Sequence, residues 1–298
     1  MDKSIYEKQS DTLIIQCLFA QREKYSQAKM ISGAYFIVCV VATCVFAVLK
    51  SITDNSIIMA LSALLSLGAF VALSPINTII LKLKTQAAEI QQYIDVFLYS
   101  NEKYLSLNKK WSCPLSRDEI VEKVSKYPKS GFDDNDKWYE DYSSLSYIEQ
   151  IYYCQRENIH WDRELRKKYY RMYLSIMGFA IIAIVLITIV YNPTFLKIIT
   201  FIPWCLPFVK YLYSFQQQWK NDENRLRKMN DEAKNIPNIG IISTGPEWIE
   251  REIELQEKIF THRKEAILIP NFFYKICRTK QQKDEASIAE NHHKGSNI

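Results

Sequence analysis

The chain has 298 residues, 38 Lys and Arg against 33 Asp and Glu, a formal net charge of +5 and 24% charged residues. So mild a surplus, with no basic stripe beside groove-reading helix signals, argues against binding to a nucleic acid polymer. Seven widely spaced cysteines, three of them inside apolar runs and none in a CxxC pair, argue against a disulfide framework and a structural zinc site, and fit reduced thiols facing the cytoplasm.

The average composition hides a segregation of charge. No Asp, Glu, Lys, Arg or His stands between Lys29 and Lys50, between Asp54 and Lys82, or between Arg171 and Lys197. Each gap reaches the roughly 20 residues that an α-helix needs to cross about 30 Å of hydrocarbon. The expected fold is therefore an all-α membrane protein. Four transmembrane helices form two hairpins, and a helical cytoplasmic domain carries them.

In chain order, residues 1–29 form a cytoplasmic N-terminal segment. Asp2, Glu7 and Asp11 make it unlike a cleavable signal peptide, so the first span is expected to remain as an anchor. Residues 30–74 are the first transmembrane hairpin, with spans at 30–49 and 56–74. In the second span Gly68 and Ala72 form a small-xxx-small pair. Such a pair lets helices approach closely, either within one protomer or between protomers of a homo-oligomer.

Residues 75–170 are the central cytoplasmic domain. Ser74-Pro75 has the form of a helix cap followed by proline at the first helical position, and Ile76 to Tyr99 keeps helical spacing, so the second span is expected to run on into a cytoplasmic helix. Ser116 to Glu119 reads as a capping box ahead of Ile120, Val121, Val124 and Tyr127. The acidic loop 129–137 lacks calcium-loop spacing, and no metal or other cofactor is expected. A further helix from near Ser144 runs through Ile148, Ile151, Tyr152 and Ile159 into the third span.

Residues 171–214 are the second transmembrane hairpin, with spans at 172–191 and 195–214 turned by Asn192, Pro193 and Thr194. The fourth span carries Pro203 and Pro207 and only twelve residues between Lys197 and Lys210. A re-entrant or interfacial segment is the other reading of it. Lys210 either snorkels to the interface or faces a wet pore. Residues 215–280 are C-terminal cytoplasmic helices, one over Gln216 to Lys234 and one opened by Thr244-Gly245-Pro246 and ending near Pro270. Residues 281–298 form a polar, disordered tail.

Basic residues crowd one side of the apolar runs: Arg22, Lys24 and Lys29; Lys82 and Lys84; Arg163 to Arg171; and Lys220 to Lys228. The positive-inside rule then puts both termini and the central domain in the cytoplasm, in a multi-pass protein of a bacterial inner membrane.

The densest constellation is CQRENIHWDRELR at 154–166. Arg156 and Arg166 offer forked donors for phosphate, Asn158 an amide, and Trp161 a stacking face for a base. The same residues also describe a juxtamembrane helix laced with salt bridges and anchored by Trp161. His160 has no second His or Cys at ligand spacing, and Ser243-Thr244-Gly245 reads as an ordinary cap rather than an anion seat, since Glu247 and Glu250 in the first turn would repel an anion. No GxxxxGK[ST], GxSxG, HExxH or GxGxxG occurs, so no catalytic residue is assigned and no enzyme is expected.

Together with the four apolar runs, the strings DVFLYSNEKYLSL at 95–107, CQRENIHWDRELRKKYY at 154–170 and IPNFFYKICR at 269–278 resemble the SMODS-associating four-transmembrane effector family of bacteria. The resemblance covers nearly the whole chain. It implies a membrane effector of anti-phage defence, triggered by a cyclic oligonucleotide second messenger and permeabilising the inner membrane by oligomerising in the lipid bilayer. No span has a polar stripe, so a pore would need several subunits, or damage would come from bilayer disruption. The alternative is a membrane adaptor or scaffold that recruits a cytoplasmic partner without opening anything.

Overall fold

The computed structural model describes residues 3–37, 56–101, 111–130, 138–191, 195–235 and 246–277, together with Val45 and Leu49. Their regular structure is helical: α1 (Ile5–Lys8), α2 (Thr12–Tyr35), α3 (Ser56–Tyr99), α4 (Arg117–Val124), α5 (Tyr147–Tyr191), α6 (Phe195–Lys234) and α7 (Pro246–Glu265). Residues 271–277 form one further short helical segment.

Several starts follow the local chemistry expected of them. Ser116 and Glu119 close a capping box at α4. Ser146 and Glu149 exchange the same pair of bonds at the head of α5, with Ser146 N–H donating to Glu149 at 2.9 Å. Helix α7 opens on Pro246. Ser74-Pro75 does not open a helix. Helix α3 runs through Pro75, and the Thr78 hydroxyl donates to the Ser74 carbonyl at 3.1 Å. The cap reading of Ser74-Pro75 thus fails, while the expected run-on of the second apolar stretch into a further helix holds, with residues 74 and 75 inside one continuous helix.

Helices α5 and α6 form an antiparallel pair. Tyr152 donates to the Ala233 carbonyl at one end, Arg166 meets Asp222 in the middle, and Tyr173 stacks on Phe215 further along. Helix α2 lies along α3. The largest apolar core joins α1, α2, α3, α4 and the first turns of α5 around Ile14, Ile94, Leu98, Tyr99 and Ile120. A second core packs Ile159 of α5 against Leu226 and Met229 of α6 and Leu255 and Ile259 of α7.

Among the described residues no helix is long and apolar enough to cross a membrane. Half of the expected first span, 30–49, lies outside the described residues. The second, third and fourth are the ends of α3, α5 and α6, whose other ends are polar and belong to the folded domain. On α3 and α5 the apolar ends are not packed away. Ile57, Leu64, Leu67 and Val71 on α3, and Phe179, Ile182, Ile189 and Val190 on α5, are each more than half exposed.

Candidate functional site

Where α5, α6 and α7 meet, charges replace the apolar side chains that the helical register calls for. On α6 the inward positions run Trp219, Asp222, Leu226, Met229 and Ala233. Asp222 therefore sits at a core position, 1% exposed. It is matched from three sides: Arg166 Nη1 donates at 2.9 Å, Arg225 Nη2 at 2.5 Å, and the Ile267 amide at 2.8 Å. Arg166 also binds Asp162 at 2.8 Å and the Ile267 carbonyl at 2.8 Å. His262 of α7 reaches Asp162 through Nε2 at 2.7 Å and receives Arg225 on Nδ1 at 3.4 Å. Arg225 ends on Glu265 at 2.6 Å.

Burial alone would push the Asp162 carboxyl up, but Arg166 and the His262 hydrogen bond hold it well below the usual carboxylate range. Lys84 of α3 is drawn into the same field. Burial pulls its amine down to about 8, partly opposed by Asp222.

A second polar cluster lies deeper and faces α3. Gln256 of α7 donates to Asp95 at 2.8 Å and to Gln92 at 2.9 Å. Arg263 closes on Asp95. Asp95 accepts from the Tyr139 hydroxyl at 2.8 Å, and that hydroxyl also meets Tyr99 and receives the Asn158 amide at 2.6 Å. Gln155 donates to the Glu252 carbonyl at 2.9 Å.

This cluster is incompletely matched. Glu252 Oε2, Gln155 Oε1 and Arg263 Nη2 are buried and have no hydrogen-bond partner among the described residues. Burial pushes the Glu252 carboxyl well above the usual range, because desolvation disfavours its charged form. Buried polar groups left unmatched cost about 1–3 kcal/mol each, so the fold holds this arrangement against a penalty.

The residues picked out by sequence fall into different settings. Arg156 is exposed on α5, one turn from exposed His160. Asn158 points inward to Tyr139. Trp161 is half-buried, its ring tilted against Tyr274 at 6.3 Å. Arg166 is buried inside the ion-pair junction. The four do not form one open surface.

In α3, a side chain at Gly68 would meet nothing within 4 Å, and Ala72 is half-buried. Lys210 is exposed. No group of metal-binding side chains occurs among the described residues.

Asp222, Asp95, His262, Gln256 and Glu252 were not singled out by sequence. Their signal is faint but legible: each is a polar residue at an inward register of an amphipathic helix. Position 222 falls between 219 and 226, and 252 and 256 fall between 249 and 259.

These features define an all-helical protein whose polar junction is built on helices with exposed apolar ends. The chain belongs to the family of the SMODS-associating 4TM effector domain, whose model matches residues 3–292. The family name makes it an effector associated with SMODS, the systems of cyclic oligonucleotide synthesis. Neither a curated protein nor a solved structure matches it.

Proposed function

We propose that the chain is a four-span effector of the bacterial inner membrane, with both termini and the central domain in the cytoplasm. A cyclic oligonucleotide made by the associated synthesis system triggers it, and it permeabilises the bilayer as a homo-oligomer.

One observation carries this reading. Helices α3 and α5 run without a break from the buried polar junction into exposed apolar ends. An α-helix transmits rotation and tilt along its length. A change at Asp95, Asp222 or Arg166 therefore has a rigid route to the apolar ends.

The incomplete inner cluster supports the same reading. A polar network with orphaned atoms has less to lose in a rearrangement than one fully matched. A ligand that supplied partners to those atoms in only one arrangement would bias the equilibrium toward it. Arg156 and Trp161 are the accessible part of the 154–166 cluster and the proposed first contact for phosphate and base. Arg166, held between Asp162 and Asp222, is the proposed coupling residue rather than an open ligand contact.

The aromatic pairs Tyr170–Trp219, at 4.3 Å and nearly parallel, and Tyr173–Phe215, at 3.7 Å, tie α5 to α6 just beyond the junction. Such pairs contribute about 0.5–1.5 kcal/mol each beyond area burial.

The test is a binding screen of the full chain in detergent against cyclic di- and trinucleotides, paired with thiol labelling in cells. A saturable cyclic oligonucleotide ligand is expected. External reagent should reach a cysteine placed at Asn55 or Asn192 and miss one at Asp134. Strong external labelling at Asp134, or no binding across the screen, would overturn the reading.

A further inference from the structure

The segment 271–277 sits where two of the expected spans begin. Its Asn271 receives Lys29 at 2.8 Å and donates to Ser26 at 3.1 Å, on the stretch of α2 just before residue 30. On its inner face Phe273 and Cys277 pack with Leu165, Tyr169 and Met172 of α5, immediately before and at the start of residues 172–191. Two independent helices thus hold the segment at one level. That level is the plane in which the first and third apolar runs begin.

A neighbouring face, about 100° round the helix from the packed one, is apolar and uncovered. Phe272 is 59% and Ile276 72% exposed, one helical turn apart. Exposed Lys275 stands between them, and the sequence continues with Arg278 and Lys280. The face is continuous in level with the exposed apolar end of α5, which begins at Leu174 and Ile176. Apolar side chains beside a lysine on a short helix, with arginine and lysine next in the sequence, suit a bilayer surface rich in anionic headgroups: the rings and branches enter the headgroup–acyl boundary, and the cations stay with the phosphates.

We infer that segment 271–277 is an interfacial anchor, lying in the membrane plane with Phe272 and Ile276 seated in an anionic leaflet. It rests on the spanning reading of α5 above. The anchor clamps the cytoplasmic ends of α2 and α5 at the bilayer surface, so C-terminal residues are tied to the leaflet that the spans enter.

The experiment replaces Phe272, Ile276, Ile182 or buried Ile259, one at a time, with a fluorescent amino acid in the full chain. Each variant is reconstituted in vesicles of phosphatidylcholine alone or phosphatidylcholine mixed with phosphatidylglycerol. Nitroxide quenchers are carried either at the headgroup or at the acyl-chain end. Probes at Phe272 and Ile276 should be quenched at least roughly twofold more by the headgroup nitroxide, and more in the anionic vesicles. The probe at Ile182 should respond to the deep nitroxide, and the probe at Ile259 to neither.

A deep response at Ile182 with none at Phe272 and Ile276 would overturn the anchor while leaving the spans intact. No response at Ile182 would overturn the spanning reading and the anchor with it. Equal quenching of Phe272 in both vesicle types would overturn the preference for anionic lipid.

Discussion

Arg166 of α5 and Asp222 of α6 form an ion pair of 2.9 Å, with their side chains 9% and 1% exposed. Neither can lose the other cheaply. A buried charge left without its partner typically costs about 3–5 kcal/mol, whereas a matched apolar replacement of both partners is often neutral.

Asp222→Ala should therefore destabilise the chain by about 3–5 kcal/mol in chemical unfolding, leaving both Arg166 and Arg225 short of a partner. Adding Arg166→Met to it should recover a substantial part of the loss. A single-variant cost below about 1 kcal/mol would show that the junction is not structurally coupled.

The two carboxylates with the clearest shifts oppose each other in pH. The folded state lowers the Asp162 carboxyl, so its contribution is present above the unfolded value near 4 and is lost as pH falls toward the folded value. Asp162 is 29% exposed, which screens the contribution. The folded state raises the Glu252 carboxyl, so its contribution is full below about 4 and is lost as pH rises toward the folded value. Glu252→Gln should raise the melting temperature near pH 8 and leave it little changed near pH 4. An equal shift at both pH values would show that burial does not raise the Glu252 carboxyl.

Arg156→Ala should lower affinity for the cyclic oligonucleotide about ten- to a hundredfold, the loss of charge-assisted bonds worth roughly 1.5–3 kcal/mol. Because Arg156 is exposed, the melting temperature should not move. Arg166→Ala is the contrasting case and should destabilise the fold. Isothermal titration beside thermal melts separates the two. Unchanged binding by Arg156→Ala would leave residues 154–166 as juxtamembrane scaffold.

A side chain at Gly68 meets open space within one chain. Gly68→Leu should thus insert and accumulate normally. If the Gly68–Ala72 face packs between protomers, crosslinked oligomers and dye entry into cells should fall together, while ligand affinity holds. Undisturbed oligomers with full dye entry would remove this face from the assembly surface.

Helices were the most legible part of the fold, because capping chemistry is local: Ser116 with Glu119 and Pro246 are readable within four residues. Ser74-Pro75 misled for the same reason. A cap motif is indifferent to whether the preceding apolar turn continues the helix, and here α3 continues through it. Residues 12–35 form helix α2 on a mixed sequence whose inward positions, Ile14, Cys17, Gln21 and Ala28, include polar groups, so the periodicity is weak. The 154–166 string was visible as chemistry but not as geometry. Which of its members faces solvent depends on α6 and α7, and Asp222 lies 56 residues from the Arg166 it neutralises. Single polar residues at core registers, such as Asp95 and Glu252, stand out only once the apolar neighbours that bury them are known.

Dye release from sealed proteoliposomes, with the full chain oriented by reconstitution and a cyclic oligonucleotide added to the face bearing the termini, tests the signalling step directly. A signal-triggered membrane opener releases dye when its ligand is added. It does so less with Arg156→Ala, and it does not respond to the linear nucleotide. Saturable ligand binding with the dye fully retained would contradict it and would leave the chain a membrane adaptor.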